Sequence, residues 1–152
     1  MKKIIGLVVS IVVLITLSAC GVEKTKTFVG KKYNVKIEVT YTYKEDKVIK
    51  QKTVNTLKYS DFGINDDTTK KKVKEELERQ SEKMKDIKGV KHSIKEKDEG
   101  FVETMTIDFK NADIATLKSK GIIDISGNTE KDLSMKKIEK KMKEIGLKEK
   151  ED

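Results

Sequence analysis

Among side chains that do chemistry near neutral pH, imidazoles and thiols are scarce in this chain of 152 residues, which has one His, His92, and one Cys, Cys20. His92 sits in an alternating stretch that places Val90, His92 and Ile94 on one side of a strand. Phe101, Glu103, Met105, Ile107 and Phe109 alternate in the same way. A turn at Lys97-Asp98-Glu99-Gly100, with Gly100 free to take positive φ, pairs Glu96 with Phe101, Ile94 with Glu103 and His92 with Met105. His92 and Glu103 are then diagonal neighbours on the core-directed face, within reach of each other for long side chains. An imidazole beside a carboxylate makes a proton-holding or ligand-orienting pair, so His92, Glu103 and the nearby Glu96 are the candidate binding residues. The competing reading is a structural pair at the sheet margin, stems packed and heads in water, and it is preferred.

The usual catalytic patterns are missing. The chain has no Cys pair, His cluster, Gly-rich phosphate loop or Ser elbow, so no catalytic residue, cofactor or metal is expected. Asp124, Ser126, Asn128, Glu130 and Asp132 alternate like a calcium loop. However, Thr129 stands where that loop needs Gly, Met135 where it needs a bidentate Glu, and helix capping explains the same residues.

Cys20 invites a different chemistry. Lys2 and Lys3 precede Ile4 through Leu17, an apolar run broken only by Gly6, Ser10 and Thr16. A spanning helix needs about 20 apolar residues, so the run suits the core of a signal peptide. It closes on Leu17-Ser18-Ala19-Cys20, which resembles the lipobox that marks a Cys for diacylglyceryl attachment and cleavage before it. On this reading residues 1–19 are a signal peptide and Cys20 is lipidated, followed by a polar tether up to residue 27. The expected partner is the membrane, with the protein facing outside the cytoplasm and two acyl chains giving durable anchoring. A released signal fragment ending at Ala19 that acts as a secreted peptide is an alternative role.

The 133 residues from Cys20 onward suit one compact domain, and their periodic apolar pattern argues against disorder. Net charge is +8 overall and, without Lys2 and Lys3, +6 from Cys20 onward. No block of like charge is long enough to make a stripe, so a solvated Lys/Glu surface is preferred over a basic face resting on anionic headgroups or polymers. With no aromatic-basic platform, nucleic acid is not an expected partner.

The positioning elements follow from the same alternation. Tyr33, Val35, Ile37, Val39, Tyr41 and Tyr43 share a face, Lys44 to Lys47 turn the chain, and Val48 to Tyr59 return. Val48 and Leu57 differ in parity, which a bulge reconciles. Asn65, Asp66 and Asp67 offer N-caps for a helix running to about Lys88 and closed by Gly89, with Val73, Leu77, Met84 and Ile87 as its stripe. After the second hairpin, Asp113 caps a short helix that ends at Gly121. Ile122 to Ile125 reads as an edge strand, and Thr129 to Asp132 resembles a capping box for a helix carrying Met135, Ile138, Met142 and Ile145. The expected fold is α+β, a two-layer sandwich with an antiparallel sheet of two hairpins and helices on one face. The domain is expected over 28–147, with 148–152 a charged tail.

Tyr41-Thr42-Tyr43, Leu57-Lys58-Tyr59-Ser60, Lys88-Gly89-Val90-Lys91-His92 and Asp108-Phe109 with Ala112-Asp113 together resemble the YehR-like bacterial lipoproteins, over about Phe28 to Leu117. The resemblance implies a lipid-anchored two-layer α+β domain and brings no catalytic residues with it. The expected role is a membrane-tethered, non-enzymatic module that binds an envelope protein or small ligand; the alternative is a small hydrolase using Glu96, Glu103 or His92.

Overall fold

The computed structural model describes residues 21–125, 127 and 130–151. Six antiparallel strands form one sheet: β1 (Glu23–Lys32), β2 (Val35–Lys44), β3 (Lys47–Lys58), β4 (Val90–Lys97), β5 (Gly100–Asp108) and β6 (Lys148–Glu149), in the order β4-β5-β3-β2-β1-β6. Three helices, α1 (Asp67–Glu82), α2 (Ile114–Ser119) and α3 (Met135–Glu144), pack on one face of it, as expected for the α+β sandwich. Since β5 lies between β3 and β4, α1 forms the crossover of a split β-α-β unit.

β1 was not expected. Residues 23–27, assigned to the tether by sequence, are already strand, and Phe28 is completely buried. β1 turns into β2 at Tyr33-Asn34, both with positive φ, so Tyr33 is 84% exposed instead of sharing the core face. At Gly30 an added Cβ would lie 2.5 Å from the Leu147 side chain, whose far end would have to shift. The expected bulge is present: Thr42 pairs with Lys50 and Tyr43 with Val48, leaving Ile49 over. Val48 thereby joins Tyr41 and Val39 in the core.

α1 starts at Asp66, whose side chain accepts from the Thr69 amide at 2.8 Å, but it stops at Glu82, short of the expected Lys88. Amides of Met84, Lys85 and Ile87 then bond three residues back, and these tighter turns bring Ile87 against the core. Ile122–Ile125 is not a strand. The Ile122 amide bonds the Leu117 carbonyl at the end of α2, and Ile123 is buried from a loop.

The true cap of α3 is Ser134, whose hydroxyl accepts from the Lys137 amide; Glu130 to Asp132 form a short 3-10 turn before it, and Thr129 lies outside the described residues. Met135, Ile138 and Met142 are buried, but Ile145 is 41% exposed at the helix end. Part of the expected tail is β6, where Lys148 and Glu149 pair with Val29 and Phe28. Among the described residues no helix is long and apolar enough to cross a membrane.

Candidate functional site

The second hairpin has the expected register, with His92 opposite Met105, Ile94 opposite Glu103 and Glu96 opposite Phe101. Its loop is tighter than four residues, since Lys97 and Gly100 pair and only Asp98 and Glu99 turn. His92 and Glu103 meet on the helix-covered face, Nε2 to Oε1 at 2.7 Å. A carboxylate has no proton to give, so Nε2 carries the hydrogen and donates. The other carboxylate oxygen accepts from Asn55 Nδ2 at 2.8 Å, and Asn55 stands directly opposite Glu103 on β3. His92 Nδ1 lies 2.9 Å from Ser81 Oγ on α1, accepting from the hydroxyl in the neutral ring.

The result is a polar chain, Ser81–His92–Glu103–Asn55, running from helix to sheet interior. The His92 side chain is 1% exposed and that of Glu103 20%. Among the described residues no buried side-chain polar atom lacks a partner. Sequence reading missed Ser81 and Asn55 as members. The signal for Ser81 was its place four residues after Leu77, on the stripe that faces the sheet.

Glu96 is not part of this chain. Its carboxylate takes the Lys74 ammonium at 2.8 Å and approaches the Tyr59 hydroxyl at 3.5 Å. The Lys74 hydrogen bond holds Glu96 below the ordinary carboxylate range, and burial raises Tyr59 above the usual phenol value.

Chemically, Ser–His–Glu is the composition of a nucleophilic triad. Here, however, the imidazole is enclosed, and none of the described cavities is lined by Ser81, His92 or Glu103. The arrangement can fix α1 against β4 and β5. Of the residues that alternate like a calcium loop, Asp124 pairs with Lys141 at 2.5 Å. Ser126 and Asn128 lie outside the described residues, as do Cys20 and the signal segment.

A family described as a protein of unknown function, DUF1307, matches residues 24–148, from β1 to β6. The chain belongs to this family. Among its relatives, the uncharacterized lipoprotein Lin0239 of Listeria innocua is 37% identical over 150 residues, covering 98% of this chain and 96% of that protein. The uncharacterized lipoprotein YehR of Escherichia coli is 34% identical over 150 residues, covering 97% and 96%. The NMR structure of Escherichia coli YehR superposes with a TM-score of 0.70 at 32% identity, over 85% of this chain and 91% of that one. An NMR structure from Streptococcus pneumoniae, at 18% identity and a TM-score of 0.58, shares the fold alone. The family match extends past Leu117, where the resemblance read from sequence ends, and takes in α3.

Proposed function

We propose that this chain is an envelope lipoprotein, anchored to the outer surface of the cytoplasmic membrane through Cys20, whose domain is a non-enzymatic binding module. Its relatives are named lipoproteins over nearly their whole length, and Leu17-Ser18-Ala19-Cys20 stands where lipidation requires it. The observation that carries the non-enzymatic part is His92. The sole imidazole of the chain is bonded on both sides and shut off from solvent, where a proton-transfer group needs access to its substrate. Fatty-acid labelling tests the anchor: wild type takes up label and Cys20→Ala does not, and equal labelling of the two would sink it.

The order Ser81–His92–Glu103 gives the hydrolase alternative a specific basis. A fluorophosphonate probe discriminates between the two. The binding-module reading expects Ser81 to stay unmodified, whereas modification of Ser81 that is lost in His92→Gln establishes a hydrolase.

A further inference from the structure

The sheet face turned away from the helices carries a charge pattern that the linear sequence hides. Directly opposed residues share a face, so the pairing defines cross-sheet rows. One row runs Lys91, Thr106, Lys52, Thr40, Thr27, and another Lys95, Val102, Thr56, Lys36, Lys31. Summed over the six strands, this face holds eleven lysines against three carboxylates, Glu23, Glu38 and Asp108. Its net +8 exceeds the +6 of the whole chain from Cys20 onward, so all other residues together carry −2, the helices summing to +4 and the excess acid lying in the loops. Lys36, Lys50, Lys52, Lys91 and Lys95 are exposed and make no ion pair among the described residues. Strands lie about 4.8 Å apart and same-face residues about 6.6 Å apart along each, giving a lattice of ammonium and hydroxyl groups.

Towards one end of this face a depression of about 710 Å³ is lined by Lys50, Lys88, Lys91 and Lys110 with the hydroxyls of Thr42 and Thr106. Asp108 is turned to the local loop, bonded by the Lys110 amide and by Asn111 Nδ2, and Glu23 is paired with Lys110. Lys50, Lys88 and Lys91 are left with no carboxylate partner among the described residues. Glu23 also marks where the chain arrives from its anchor. Only Gly21 and Val22 lie between it and Cys20, three steps along the chain with a reach of at most about 11 Å. The membrane side of the molecule and its cationic depression are therefore the same end.

We propose that this open sheet face docks on the bilayer, its lysines and threonines engaging the phosphate groups of anionic lipid headgroups, with the depression as the deepest headgroup seat. The proposal rests on the anchored reading above. A short tether holds the domain within reach of the surface, and the face with excess positive charge is the one that a negative leaflet attracts. The helix-bearing face, with less excess positive charge, is left for whatever the module binds.

The test uses the lipidated protein in vesicles, with a fluorophore at Ser93→Cys on the open face or at Lys140→Cys on α3. Vesicles are either phosphatidylcholine alone or with about a third phosphatidylglycerol, and both contain spin-labelled lipid as quencher. The expected result is quenching about fivefold stronger at position 93 than at 140, seen only with phosphatidylglycerol and abolished by high salt. Lys50→Glu/Lys52→Glu/Lys91→Glu removes it, while the charge-matched Lys136→Glu/Lys137→Glu/Lys140→Glu, labelled at 93, keeps it. Equal quenching at both labels, or none that depends on lipid charge, overturns the proposal while flotation with the vesicles leaves the anchor standing. Failure to float overturns the anchor and the docking together. If position 93 stays unquenched but is shielded by soluble poly(glycerol phosphate), the face takes a phosphate polymer and the membrane assignment falls.

Discussion

Under α2 and α3 the sheet buries Phe28, Val48, Ile107, Leu117 and Leu133 to 2% exposure or less, and the polar contacts sit at the rim. Under α1 the arrangement is inverted. None of the sixteen residues of α1 is buried, Tyr59 and Phe101 form a separate edge-to-face pair, and a polar chain occupies the centre. The contrast has a physical basis. Apolar burial is non-directional and strong in aggregate, so the α3 side is held by area. Hydrogen bonds contribute little net stability each but are costly to break when enclosed, so the α1 side is held in register by direction. One helix is fastened tightly; the other is positioned.

Truncation of an apolar side chain is the largest way to break this comparison. Phe28→Ala removes a fully buried ring of β1 that packs edge-on against Tyr41 and is expected to cost about 3–5 kcal/mol. Leu77→Ala on α1, where the side chain is half-buried, is expected to cost about 1 kcal/mol. Urea unfolding of both variants checks the ratio, and equal costs would mean that α1 is packed as firmly as α3.

The sequence made the polar half more legible than the apolar half. Strict alternation on both sides of a Gly-containing turn fixed the register of β4 and β5, and with it the meeting of His92 and Glu103. β1 escaped because Phe28 is its one large buried residue, with Lys26 and Gly30 at the neighbouring core-face positions. Gly30 there lies against Leu147, a contact 117 residues away that no local pattern shows. β6 is two residues long and owes its pairing to the same C-terminal return. The lysine face escaped for a related reason. In a strand each outward Lys is followed by an inward residue, so no run of like charge forms in sequence, and only lateral pairing of six strands assembles one.

The second test separates direction from area inside the α1 half. His92→Gln loses the imidazole bridge between Ser81 and Glu103 and is expected to cost about 1 kcal/mol, and Glu103→Gln a similar amount. Because the two side chains act through one bond, the double variant should cost less than the sum of the singles, a coupling of about 0.5–1 kcal/mol. Additive costs would show that the bond at 2.7 Å contributes nothing and that the two residues matter only as packed bulk. Amide exchange adds a local readout: α1 protection should fall in His92→Gln while α3 protection stays at the wild-type level.

The smallest effect concerns the rim of the α3 half, where Glu139 accepts from Lys143 at 2.8 Å and from Lys26 at 2.8 Å. Those two ammonium groups, Lys143 first, pull the Glu139 carboxyl from 4.5 to about 2. A carboxyl lowered by folding stabilises the native state in its charged form. Its contribution is therefore fully present above about pH 4.5 and disappears as pH falls towards 2. Both Lys26 and Glu139 are about a quarter exposed, so solvent screening holds the contribution to about 1 kcal/mol or less. Asp46 is lowered by the Ser134 hydroxyl and the Lys136 amide and titrates in the same direction, so wild type alone cannot isolate Glu139. Comparison with Glu139→Gln does, since Asp46 is common to both proteins. The difference in unfolding free energy between the two should be largest near neutral pH and shrink as acid is added. If it stays constant down to pH 2, the rim ion pair does not couple to folding, and the α3 half is held by apolar area alone.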